Sequence, residues 1–164
     1  MTMPSEIVDI TISEPLAPHE TPEGEPIFLT DEQVIHINQR LTEARAEGES
    51  HELVQPSLLS SALARVRLQW ESGEHDVAIL AGHLLLGIGI SAPFGAANER
   101  TALTAAKVFL HFNGYSLVAP DAEPLSRLVE RSISGAIPEG MFLRAMRASA
   151  IPTDEWRAFQ ASQQ

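Results

Sequence analysis

The run VAILAGHLLLGIGI, Val77–Ile90, constrains this chain more than any other stretch. It is apolar almost all round a helical wheel, with His83 as its one ionisable side chain. A helix with no polar face has to be wrapped by other elements. Its 14 residues fall short of a membrane span, which needs roughly 20. The run therefore reads as the buried central helix of one domain, and no membrane partner is expected. A chain of 164 residues suffices for a single core, burying about 70% of its unfolded surface.

Helical patterns surround that run. Thr30 precedes DEQVIHINQRLTEARAEG, with acidic residues in the first turn, apolar Val34, Ile37 and Leu41, and Gly48 as a stop. QPSLLSSALARVRLQW sets Leu58, Ala62, Val66 and Trp70 on one stripe. From about Ala97 to Asn113, Leu103, Ala106 and Leu110 share a face, and Asn113-Gly114 closes the helix with a left-handed cap. Pro120 and Asp121, Pro138 and Pro152 each open a further pattern, because proline is tolerated in a first turn. EPIFLT is the one candidate strand. The expected fold class is all-α, six or seven helices around a buried central helix.

Residues 1–26 differ in kind. They are rich in Pro and Glu without helical period, and read as an acidic flexible leader to a domain over 27–164. Such an arm either stays disordered or folds over a groove of its own domain. Residues 1–52 hold 12 of the 22 acidic residues against Arg40 and Arg45, which accounts for −10 of the net −11. That charge argues against nucleic acid as a partner, since neutralising phosphates needs clustered Lys and Arg. The N-terminus lacks the pattern of a signal peptide, and the absence of cysteine suits a cytoplasmic location while excluding disulfides and thiolate chemistry.

The segment after the central run, SAPFGAANERTAL, is a tight turn feeding a helix start. Backbone N–H groups and the positive end of the helix dipole converge at such a place. Pro93, Gly95, Ala96 and Ala97 permit the turn, and Asn98 and Arg100 offer a donor and a charge. An ordinary interhelix loop has the same composition.

The wider stretch PFGAANERTALTAAKVFLHFNGY, Pro93–Tyr115, preceded by AGHLLLGIGISA, resembles the signature segment of the Fic/Doc family, His-x-Phe-x-Asp/Glu-Gly/Ala-Asn-Lys/Gly-Arg. Ala-Asn-x-Arg-Thr-Ala-Leu and the later Phe-Leu-x-x-Asn-Gly-Tyr bring it nearer the short Doc-type toxins, and the likeness extends over about residues 28–150. The resemblance implies a helical domain with the signature between two central helices. It also implies transfer of adenylyl or phosphoryl groups from ATP with Mg²⁺ to a protein, and frequent self-association.

The departures bear on chemistry. The family's catalytic His falls at Ala92, its Mg²⁺-holding acid at Ala96, and the Doc-type Lys at Glu99. Pro93 and Phe94, which anchor the loop, are present, as are Asn98 and Arg100, which in the family contact nucleotide phosphates. A methyl group neither accepts a proton nor ligates a metal, and loss of a general base alone costs about 10²- to 10⁴-fold. Glu99 is either a displaced acid or base or a carboxylate favoured near a helix N-terminus.

Other constellations are weaker. His75-Asp76, with His51 and Asp121, is a candidate metal-hydrolase set, and His83 reads as a hydrogen-bonded core histidine. Arg127 with Arg131 and Arg144 with Arg147 pair cations on helix faces, either as a patch for an acidic partner or as solvated surface. Trp70, Trp156 and Phe159 read as anchors. The sequence thus points to a catalytically inactive Fic/Doc-like protein that uses no cofactor or metal. It would act by binding a protein: an antitoxin-like segment, a paralogue or a former target. The alternatives are a transferase using ATP and Mg²⁺ through Asn98, Arg100 and Glu99, and nucleotide sensing without turnover.

Overall fold

A computed structural model describes residues 18–21, 24–44, 52–118 and 122–163. Among these, seven helices follow in order: α1 Asp31–Glu43, α2 Pro56–Glu71, α3 Val77–Ser91, α4 Asn98–Phe112, α5 Ala122–Ile133, α6 Glu139–Ser149 and α7 Asp154–Ser162. Two three-residue strands, β1 Tyr115–Leu117 and β2 Ala150–Pro152, pair antiparallel with Ser116 opposite Ile151. The fold is all-α but for this ribbon. No helix among the described residues is long and apolar enough to cross a membrane.

The apolar run is the centre of the molecule. Val77, Leu80, Leu85 and Ile88 of α3 have no exposed surface, and α4, α2, α6 and α5 all pack on this helix. Close approach depends on its glycines. A Cβ at Gly82 would lie 2.6 Å from Leu143 Cδ2 of α6, and one at Gly89 would run into the Ile133 side chain of α5. The helix starts at Asp76, whose carboxylate accepts the Ala78 N–H at 2.9 Å. Helix α1 starts with a reciprocal pair: Thr30 Oγ1 accepts the Gln33 N–H and Gln33 Oε1 accepts the Thr30 N–H.

Several expectations are corrected. In α1 the buried stripe is Val34, Asn38 and Thr42, with Ile37 half-buried. The expected Val34, Ile37 and Leu41 face is rotated because Asn38 finds partners across the interface with α4. In α2, Leu59 rather than Leu58 joins Ala62 and Val66 in the core. EPIFLT forms no strand: the Asn113 side chain, fully buried, both accepts the Ile27 N–H and donates to the Ile27 carbonyl, giving an extended segment its partners without a ladder. The expected start at Pro120 and Asp121, the stop at Gly48 and the leader before Pro18 lie outside the described residues. Where description begins, His19 and Glu20 are packed on the domain, inside the span read as leader.

Candidate functional site: the turn between α3 and α4

The turn is built by two residues in an uncommon backbone conformation. Ala92, closing α3, has φ 46°, and Ala97, preceding α4, has φ 61°. Left-handed geometry costs an L-residue roughly 1–2 kcal/mol, so the surrounding contacts must hold it. Phe94 supplies the first of them. It is 4% exposed and sits in the hydrophobic core, with buried Pro93 beside it.

Asn98 supplies the second. Its side-chain oxygen accepts the Phe94 N–H at 3.0 Å and its amide donates to the Phe94 carbonyl at 3.0 Å. The amide group thus copies a backbone pairing and locks Phe94 in place. The third contact is Asn38 of α1, wholly buried, whose amide donates to the Ala96 carbonyl at 2.9 Å and to Thr101 Oγ1 at 3.0 Å. Thr101, also wholly buried, lies one turn into α4. The chain at 52–55 closes the outer edge of the turn. Val54 and Gln55 donate to the Pro93 carbonyl, Gly95 donates to the Glu52 carbonyl, and Leu53 bridges Phe94.

Positions 92, 96 and 99 show what the turn presents. Ala92 is exposed and Ala96 half-buried, both with methyl side chains, and Glu99 is an exposed carboxylate in the first turn of α4. Arg100 is half-buried. Among positions 92, 96 and 99, the Glu99 carboxylate is therefore the one proton-accepting side chain. Asn98, expected as a phosphate contact, spends both ends of its amide on Phe94. Among the described residues no group of three or more His, Cys, Asp or Glu side chains could hold a metal ion.

The other constellations separate in the same way. His75 is exposed beside the Trp70 ring, whereas Asp76 is buried at the start of α3, so the two do not form a dyad. His51 and Asp121 lie outside the described residues. His83, expected in the core, is half-buried, with Nδ1 3.4 Å from Glu139 Oε1. Burial holds its ring below the ordinary histidine range, against the raising effect of Glu139. It borders a cavity of about 380 Å³ shared with Ser91, Ser132 and Ile133. Arg144 is exposed while Arg147 turns inward to Asp76, with Nε 3.0 Å from Oδ2, so these two do not form one patch. Arg127 and Arg131 stay on the exposed side of α5. Trp156 is an anchor as expected, but Phe159, stacked on it at 5.2 Å, is 45% exposed.

At the far end of α4 the surface changes character. Phe112, Val118, Ile151 and Phe159 are each more than 40% exposed, and all line an open groove of about 770 Å³ over the β1–β2 ribbon. Phe112 also borders a smaller apolar hollow with Ile37 and Val108, edged by Glu32. Phe112 is common to the groove and the hollow, which together are bordered by α1, α4, α7 and the ribbon. No protein-family model matches the chain, and a search of curated proteins finds no match.

Proposed function

We propose that the chain is a Fic/Doc-like scaffold that acts by binding a protein segment, with its signature turn kept as a structural device. The observation that carries this reading is the inward use of the turn. Asn98 is committed to Phe94, Asn38 holds the Ala96 carbonyl, and the positions that would need a base, a metal ligand and a cation are Ala92, Ala96 and Glu99. Transfer chemistry rests on positioning and on neutralising phosphate charge. At those positions the turn supplies no second cation, and its one proton acceptor is the exposed Glu99 carboxylate.

The binding face in this reading is the strip through Phe112, Val118, Ile151 and Phe159. Contiguous exposed apolar surface on a folded chain marks contact sites. Its occupant is an amphipathic segment of another protein with Lys or Arg flanking the apolar residues. Glu32, Asp154 and Glu155 border the strip against Arg157, so the local balance is acidic and charge complementarity favours a basic flank. An antitoxin-like segment is one protein of that description. In affinity capture from the native host, the wild type and Arg100→Ala should retain the same partner, and Phe112→Ser/Phe159→Ser should lose it. A partner retained equally by all three would contradict the assignment of the face.

A further inference from the structure

Away from both the turn and the apolar strip, the chain preceding α1 is fastened to the start of α3, well before its pairing with Asn113 at Ile27. The His19 carbonyl accepts the Val77 N–H at 3.0 Å and the His19 N–H donates to Asp76 Oδ2 at 3.2 Å, so the segment caps the start of α3 by its backbone. The His19 ring goes further. Its Nδ1 is 3.1 Å from Asp76 Oδ1, and its Nε2 is 2.8 Å from the Ala150 carbonyl oxygen. A carboxylate and a carbonyl only accept hydrogen bonds. Both ring nitrogens must therefore carry hydrogen, which makes the bridging form the imidazolium.

We propose that His19 is a proton-controlled latch. Doubly protonated, it clamps residues 18–21 onto the N-terminal end of the central helix, and loss of one ring proton releases them, uncovering Asp76, the Val77 N–H and the Ala150 carbonyl.

The groups facing the ring from each side fit this role. Asp76, at the start of α3, is 4% exposed. Arg147 of α6 reaches the same carboxylate at 3.0 Å, a charge contact without a directed N–H. Tyr115 of β1 meets the imidazole edge-on at 5.1 Å. The Tyr115 hydroxyl donates to the Glu20 carbonyl and accepts from Trp156 Nε1 of α7. The Glu74 carboxylate accepts the Asp76 N–H. A neutral ring would either set a bare Nδ1 lone pair against the carboxylate, which keeps the Ala78 and His19 backbone N–H groups, or take the ring donor from the Ala150 carbonyl, and losing a donor at a buried acceptor is costly.

The direction of titration agrees. Burial opposes the charged ring, but the hydrogen bond and charge of Asp76 outweigh it and hold His19 above its ordinary 6.5. Burial likewise opposes the Asp76 carboxylate, and the His19 contacts with the Ala78 N–H hold it below its ordinary 3.8. The contribution of His19 to docking is full below 6.5 and disappears as pH rises through the raised value. That of Asp76 is full above 3.8 and disappears as pH falls through the lowered one. The latch is closed between those limits and opens on the alkaline side.

Nuclear magnetic resonance of the full isotope-labelled chain tests this. The His19 ring nitrogens should both be protonated below 6.5, and the ring should titrate above that value. Protection of the Val77 amide from hydrogen exchange, referred to its unstructured rate, should fall along the same curve by about fivefold or more, the weight of one lost hydrogen bond. His19→Gln should leave that amide unprotected throughout. Arg147→Gln removes a cation that opposes the imidazolium and should move the His19 midpoint upward, an effect a merely packed ring would not produce. A ring that titrates at or below 6.5, Val77 protection unchanged through the titration, or a midpoint unmoved in Arg147→Gln would each overturn the latch.

Discussion

Asn98 is where the two readings of the turn part company. As a structural clamp, its loss removes two hydrogen bonds and leaves the Phe94 N–H without a partner. Asn98→Ala should then cost about 2 kcal/mol, read as a lower urea midpoint at unchanged slope. A residue whose work is to hold a phosphate would leave stability untouched. Asn98, Arg100 and Phe94 could be picked from the sequence because they recur in a known spacing. Asn38 could not, since an Asn inside an amphipathic helix looks like surface. The usable signal was that Val34, Asn38 and Thr42 are four apart and so share one stripe. His19 gave less: it lies in a Pro- and Glu-rich span, and its partners are 57 and 131 residues away.

Among the elements, α3 carries the most consequence. Because Gly89 seats Ile133, Gly89→Ala should destabilise by about 1 kcal/mol or more despite the better helix propensity of alanine. Combining it with Ile133→Ala should recover much of that loss. A double-mutant cycle on chemical denaturation should show a favourable coupling of about 1 kcal/mol, and strict additivity would mean that α5 does not rest on that glycine. The helices themselves were legible because apolar period, the Thr30 cap and the prolines agree. The rotation of α1 was hidden because buried polar pairing outranked the apolar count. The strands were hidden because three residues cannot show alternation, and the ribbon depends on a pairing 35 residues distant, Ser116 with Ile151.

At the scale of the molecule, the acidic excess and most of the apolar strip fall in different parts of the sequence. The acidic excess lies in the first third of the sequence, while the exposed aromatic strip lies over the C-terminal ribbon and the end of α4. A basic amphipathic partner should bind this face with an affinity that falls as salt is raised, because exposed charges more than about 8 Å apart are screened at physiological ionic strength. Salt-independent binding would leave apolar contact alone as its basis. The central claim is that the turn is architecture and that the molecule works by binding. Its most direct test is label transfer from ATP carrying radiolabel at the α- or the γ-phosphate, with Mg²⁺ and with extracts of the native host as acceptor. The account predicts no incorporation into any protein above the level seen without the chain. Mg²⁺-dependent labelling that disappears in Arg100→Ala would contradict it.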